Sequence, residues 1–179
     1  GLGQAPGTGF PGESTGSLPA PVRWSRSERA TLSYGYGLSV SALQLASAYT
    51  ALANDGVRLP PSLLRLSEPP QGIPAIEPTV ANDLLNILET SVAAYTGGRR
   101  ARVEGYRVGG KTGTVRKIGQ QGYTTDAYRS VFAGIAPISD PRIVTVVMID
   151  HPKAGEFYGG AVAAPVFSSV TGNALRLLD

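Results

Sequence analysis

The run Ile143-Val144-Thr145-Val146-Val147-Met148-Ile149, closed by Asp150, most narrows what this chain can become. Its β-branched residues favour an extended backbone. Near-continuous apolar sequence in a strand predicts burial on both faces, and therefore a sheet with helices packed on each side. A second extended run, Tyr128 to Ala136, precedes it. The link Pro137-Ile138-Ser139-Asp140-Pro141 is short enough to predict an antiparallel hairpin.

Three helices are expected around that hairpin. From Ser39 or Ser41, each a suitable N-cap, Leu38, Ala42, Leu45, Tyr49 and Leu52 recur at alternating spacings of four and three, and Asn54-Asp55-Gly56 supplies a stop. Pro60, Pro61, Pro69, Pro70, Pro74 and Pro78 forbid a continuous helix in between. A second helix is predicted from Thr79, with Val80, Leu84, Ile87, Leu88 and Ser91 on its buried side. A last helix is predicted near Pro165, a favourable first-turn residue, with a stripe through Val166, Val170, Ala174 and Leu177. Residues 1–27 are rich in Gly, Pro, Ser and Thr and predict a surface excursion, with Trp24 as an anchor. Glu28 to Gly37 carries little local signal, Lys117 to Asp126 reads as a polar loop, and Glu156-Phe157-Tyr158-Gly159-Gly160 as a loop with exposed aromatics.

The chemistry concentrates in Gly105-Tyr106-Arg107-Val108-Gly109-Gly110-Lys111-Thr112-Gly113-Thr114-Val115-Arg116. Thr112, Thr114 and Val115 favour a strand, which puts Lys111 and Gly113 on one face and Thr112 and Thr114 on the other. Glycines at 109, 110 and 113 let another chain lie alongside. At a sheet edge this strand would offer free backbone groups, a cation and hydroxyls, a combination suited to a peptide with a terminal carboxylate. Gly105-x-x-x-x-Gly110-Lys111-Thr112 also satisfies the phosphate-cradling G-x-x-x-x-G-K-[ST] pattern. That pattern needs a buried strand before it and a helix beginning at the Lys-Thr pair. Arg99, Arg100, Arg102 and Glu104 argue against the strand, and Gly113, Gly119 and Gly122 against the helix. Lys111-Thr112-Gly113 is equally the K-T-G element of serine penicillin-binding proteins and β-lactamases. Taken alone, the triplet also fits a solvent-exposed turn.

Composition excludes several classes. Hydrophobic content of 42% and charged content of 16% over 179 residues indicate one globular domain. The net charge of +3 is modest, and basic residues do not interleave with aromatics as a nucleic-acid groove requires. The Arg99, Arg100, Arg102 cluster reads as a solvated loop. No cysteine is present, so no disulfide, thiol nucleophile or thiolate metal site exists. His151, the single histidine, rules out multi-histidine metal sites and, followed by Pro152, reads as a strand end. No metal or other cofactor is expected, and no leader or membrane span is read in these residues.

In order and spacing the chain resembles the C-terminal part of the transpeptidase domain of class B penicillin-binding proteins, the division-specific peptidoglycan D,D-transpeptidases of Gram-negative bacteria. The likeness covers nearly the whole chain. It is carried by Gly1-Leu2-Gly3, Glu28-Arg29-Ala30-Thr31, Ser33-Tyr34-Gly35-Tyr36-Gly37-Leu38 and Leu43-Gln44-Leu45-Ala46. It continues in Gly105-Tyr106-Arg107, Lys111 to Thr114, Phe132-Ala133-Gly134, Ala136-Pro137, Tyr158-Gly159-Gly160 and Ala164-Pro165-Val166-Phe167.

The resemblance implies the penicilloyl-serine transferase (β-lactamase-like) α+β fold, an antiparallel sheet with helices on both faces. It implies acyl transfer from a D-Ala-D-Ala stem peptide through a serine ester, with β-lactams as mimics of that dipeptide. Lys111 would bring positive charge and assist the proton relay, Thr112 would bind the carboxylate, Gly113 would admit the ligand, and the Thr114 N–H would serve the oxyanion hole. Arg116, Tyr36, Tyr128, Phe157 and Tyr158 would wall the binding groove, with plain surface packing as the alternative. Neither S-x-x-K nor S-x-N occurs in the 179 residues. In the family both belong upstream, so the chain is expected to be one part of a transpeptidase domain and inactive alone. The missing N-terminal part, septal glycosyltransferases and other division proteins are the implied partners, at the periplasmic face of the inner membrane, with the anchor outside this chain. The competing reading is a non-catalytic sensor of β-lactams or muropeptides.

Overall fold

A computed structural model describes residues 1–119 and 122–178. Its centre is an antiparallel sheet in the order β3-β4-β5, comprising β3 (Gly109–Gly119), β4 (Gly122–Ala136) and β5 (Ile143–Asp150). Tyr128 to Ala136 and Ile143 to Asp150 pair as the expected hairpin. The expected loop from Lys117 to Asp126 is instead largely strand, apart from residues 120–121, which lie outside the described residues; after an irregularity between Arg116 and Ile118, β3 and β4 pair again at Ile118–Tyr123 and Gly119–Gly122. Among the described residues β3 and β5 are the outer strands. β5 is therefore half-buried rather than buried on both faces, and Met148 is 48% exposed.

Register separates the two faces. Thr112, Phe132 and Val147 lie level on one, as do Thr114, Ser130 and Ile149; Lys111, Ala133 and Val146 lie level on the other. The first face carries α5 (Gly159–Leu178), whose buried residues include Ala163, Ala164, Phe167, Thr171 and Leu175. Phe167 meets Phe132 with ring centroids 4.7 Å apart, and a side chain at Gly134 would strike the Phe167 ring at 2.8 Å. Close approach selects small residues and one ring, so the buried stripe of α5 is not the expected Val166, Val170, Ala174 and Leu177. Val166, Val170 and Leu177 are exposed and Ala174 is half-buried. The helix also begins six residues before Pro165, which leaves the proline inside it. Pro165 has no N–H for the Ala161 carbonyl, and the Arg100 guanidinium lies 3.4 Å from that oxygen. By length and composition α5 could cross a membrane, yet here it packs against the sheet.

The second face carries α2 (Ala42–Ala53) and α3 (Pro78–Ala94) around Ile135, Ile138, Leu85 and Val144. Ser41 and Gln44 close a capping box on α2. Its most buried side is Gln44, Ser47 and Ala51. Tyr49 and Leu52 from the expected stripe pack at the edge of the second-face core. The Gln44 amide donates to the Gln4 and Thr15 carbonyls at 2.7 and 2.9 Å, which ties down the N-terminal excursion. On α3 the buried residues are Ala81, Leu85 and Val92; Val80 at 46% and Ile87 at 62% exposure point outward, contrary to the predicted stripe.

Smaller elements complete the chain. The segment after α2 contains a short antiparallel pair, β1 (Val57–Arg58) and β2 (Ile73–Pro74). A helix the sequence reading missed, α1 (Arg26–Leu32), is set by a Ser25–Glu28 capping box. Trp24 is half-buried and donates its indole N–H to the Pro19 carbonyl at 2.8 Å, a bond within the N-terminal excursion itself. α4 (Thr96–Arg99) follows α3; Arg99, Arg100 and Arg102 are exposed, as a solvated cluster should be, and Arg102 also donates to the Ala93 carbonyl at 2.6 Å.

Candidate active site

The glycines at the start of β3 exist for contact. A side chain at Gly109 would lie 2.6 Å from Ile138 and 3.1 Å from the Glu89 nitrogen, and one at Gly110 would lie 2.6 Å from the Phe132 ring. Their absence lets α3 and β4 close on the strand. Arg107, just before it, grips Glu89 of α3 through two guanidinium nitrogens at 2.7 Å each. That pairing holds the Glu89 carboxyl below its ordinary range. The strand that follows is thus held at its root, and among the described residues no strand pairs with its outer edge.

Along that edge Lys111, Thr112, Gly113 and Thr114 are extended, at the sheet margin and not at a helix start. The phosphate-loop reading requires a helix there and is excluded. Lys111 is exposed, and its ammonium lies 3.1 Å from the Thr112 carbonyl and 3.4 Å from the Thr112 hydroxyl. A cation and a hydroxyl therefore meet at one point, an arrangement that can take an anionic group through charge-assisted hydrogen bonds. Two clefts adjoin this point. Lys111 and Thr112 line a largely apolar one of about 660 Å³ with Ile87, Leu88 and Tyr95. Thr112 and Thr114 line another of about 300 Å³ with Arg100, Tyr158 and Gly159.

Aromatic residues stand at the far end of the strand. Tyr128 and Phe157 stack at 4.1 Å and 13°, Tyr158 follows at 4.5 Å from Phe157, and the Arg116 guanidinium lies 5.8 Å from the Tyr128 ring centre. Such contacts are individually worth about 0.5–1.5 kcal/mol and fix ring orientation. Eight of the nine expected site residues are thus carried by β3, β4 and the segment entering α5. Tyr36 sits on the loop after α1, its ring 6.5 Å from Tyr34. Arg100, Glu89 and Arg107 were not expected at the site. Only the Arg107 tract carried any sequence signal.

A family described as the penicillin binding protein transpeptidase domain matches residues 1–172. The chain is 45% identical over 178 residues to the probable peptidoglycan D,D-transpeptidase PbpC of Pseudomonas aeruginosa, covering 99% of this chain and 32% of that protein. It is 40% identical over 179 residues to the peptidoglycan D,D-transpeptidase FtsI of Escherichia coli K12, covering 100% of this chain and 30% of that protein. The apo transpeptidase domain of penicillin-binding protein 3 from Burkholderia pseudomallei superposes with a TM-score of 0.92 at 47% identity, over 100% of this chain and 55% of that one. The chain thus spans about a third of the length of these curated relatives and about half of the solved domain.

Proposed function

This chain belongs to the penicillin-binding-protein transpeptidase family, and on that premise we propose that it is the strand-and-groove part of a peptidoglycan D,D-transpeptidase acting in septal wall synthesis. The observation that carries the reading is the open edge of β3, where Lys111 and Thr112 meet between two clefts.

The acyl donor, a stem peptide ending in D-Ala-D-Ala, lies as an added strand along that edge. Its terminal carboxylate is bound by the Thr112 hydroxyl in the field of Lys111. A serine from an S-x-x-K segment outside these 179 residues attacks the penultimate carbonyl. The serine proton passes to the neighbouring base, and the oxygen that gains charge is held by the Thr114 N–H. A hole of this kind is worth about 3–4 kcal/mol per donor in serine hydrolases. The C–N bond then breaks, D-Ala departs with a proton, and a serine ester remains. An amine of a neighbouring stem attacks the ester, forming the cross-link and restoring the serine hydroxyl. β-Lactams enter by the same route, and Arg116, Tyr128, Phe157 and Tyr158 wall the groove for the donor's side chain. The site works at the periplasmic face of the inner membrane, with the anchor, the nucleophile and the contacts to a septal glycosyltransferase and other division proteins outside this chain.

The test is covalent labelling of the nucleophile-bearing protein that contains this chain, using a fluorescent penicillin. Labelling that survives denaturation is expected, as is its loss, by a hundredfold or more in rate, in Lys111→Ala. The 179-residue chain alone is expected to remain unlabelled. Reversible binding without a covalent product would favour a sensor and refute the transpeptidase reading.

A further inference from the structure

Ser130 is a hydroxyl set in the apolar interior of β4 and is fully buried. It sits directly opposite Thr114 in the β3–β4 register, on the face that receives α5. The Ser130 hydroxyl donates to the Phe157 carbonyl, and the Thr114 hydroxyl accepts from the Gly159 N–H at 2.9 Å. Two side-by-side hydroxyls on adjacent strands thus grip the backbone immediately before and after Tyr158. The grip is rigid, because a side chain at Gly159 would fall 2.4 Å from the Val131 carbonyl and 2.5 Å from that of Gly113. Between the two fixed points, Phe157 is presented to Tyr128 and Tyr158 to the cleft it shares with Thr112 and Thr114.

We propose that Ser130, together with the Thr114 side chain, is a positioning residue that sets the specificity of the site by fixing the Tyr128–Phe157–Tyr158 ring wall relative to the Lys111-Thr112-Gly113-Thr114 strand. The proposal rests on the transpeptidase reading. It adds a task for the Thr114 side chain distinct from that of its N–H. A buried hydroxyl costs stability unless it is bonded, and here its partner is the backbone that carries the wall. Acyl donors with an aromatic or bulky apolar side chain depend on the clamp, whereas a donor with no side chain does not touch the wall.

The experiment compares acylation of the nucleophile-bearing enzyme by benzylpenicillin and by 6-aminopenicillanic acid, which lacks the acyl side chain, together with the NMR ring-proton shifts of Tyr128. Ser130→Ala is expected to slow acylation by benzylpenicillin about tenfold, the scale of one buried hydrogen bond. Reaction with the bare nucleus should change by less than about twofold, and the Tyr128 ring signals should lose the upfield shift that stacking imposes. Thr114→Val should shift the same ring signals, and Thr114→Ser, which keeps the hydroxyl, should restore them. An equal fall with both penicillins, or an unaltered Tyr128 shift, overturns the clamp while the transpeptidase reading stands. A wild-type enzyme acylated by neither compound overturns both.

Discussion

Gly159→Ala tests whether β3 and the start of α5 are held as one unit. The added carbon meets the carbonyl oxygens of Val131 and Gly113, at 2.4 and 2.5 Å. Both are backbone atoms of paired strands, so neither can swing aside. Restoring ordinary contact, from 2.4 to 3.4 Å, moves the helix start by about 1 Å. Overpacking of this kind costs about 1–3 kcal/mol, and the helix preference of alanine over glycine, at most about 1 kcal/mol, offsets part of it. In a chain of this size each kcal/mol lowers the melting midpoint by roughly 2–4 °C, so a net cost of about 1–2 kcal/mol should appear in calorimetry as a fall of about 2–8 °C. The same shift breaks the 2.9 Å bond from the Gly159 N–H to Thr114. Displacement on that scale beside reacting groups costs about a hundredfold in rate, to be read as penicillin acylation of the nucleophile-bearing enzyme. Gly97→Ala is the control, since its added carbon would meet only the Thr112 side chain, at 3.9 Å. It should melt at or up to about 4 °C above wild type, because the same helix preference acts within α4. A Gly159→Ala protein with unchanged midpoint and unchanged acylation would refute the reasoning.

Two further substitutions probe the supports of the site. Gln44→Ala removes the donor from the Gln4 and Thr15 carbonyls. It should cost about 1–3 kcal/mol in denaturant unfolding and speed proteolytic cleavage within residues 1–20; equal cleavage rates would show that the amide does not hold that segment. Glu89 has its carboxyl lowered by hydrogen bonding to Arg107 and then by its charge. A depressed carboxylate stabilises above its ordinary value of 4.5 and loses that contribution as pH falls through its lower folded value. Glu89→Gln should therefore melt below wild type at pH 7, with the gap closing below about pH 4.5. A gap independent of pH would mean that charge plays no part in the Arg107 contact.

What the sequence made legible follows physical lines. The hairpin, the strand character of Lys111 to Thr114 and a serine cap at 39 or 41 are local: β-branched runs, turn residues and a serine before an apolar periodicity speak for themselves. Ser25-Arg26-Ser27-Glu28 carried an equally local S-x-x-E signal that the surrounding Gly, Pro and Ser obscured. The buried helix stripes depart from the apolar periodicity for a different reason. Periodicity locates apolar bulk but does not say which neighbouring row meets the sheet. In α5 the sheet took the row containing Ala163 and Ala164, because the missing side chain at Gly134 lets the Phe167 ring come close, and in α3 the missing side chain at Gly109 lets the Glu89 backbone approach. Pro165 looked like a helix start because its lost hydrogen bond is visible in sequence, whereas the replacement donor, Arg100, is distant in the chain. The site divides the same way. Lys111 and Thr112 announce themselves by motif, but Ser130 in Tyr128-Arg129-Ser130-Val131-Phe132 is one small polar residue in a strand, and only tertiary structure shows what it holds.

The outer side of β5 has a consequence for handling the protein. Over Ile143–Asp150 the strand has no proline and a single charge, at its last residue, and no strand pairs with that side among the described residues. A strand margin with so little charge recruits any extended chain within reach, another copy included. Expressed by itself, the chain should therefore form intermolecular sheet as its concentration rises. A lysine at Val146 or Met148 should delay that aggregation.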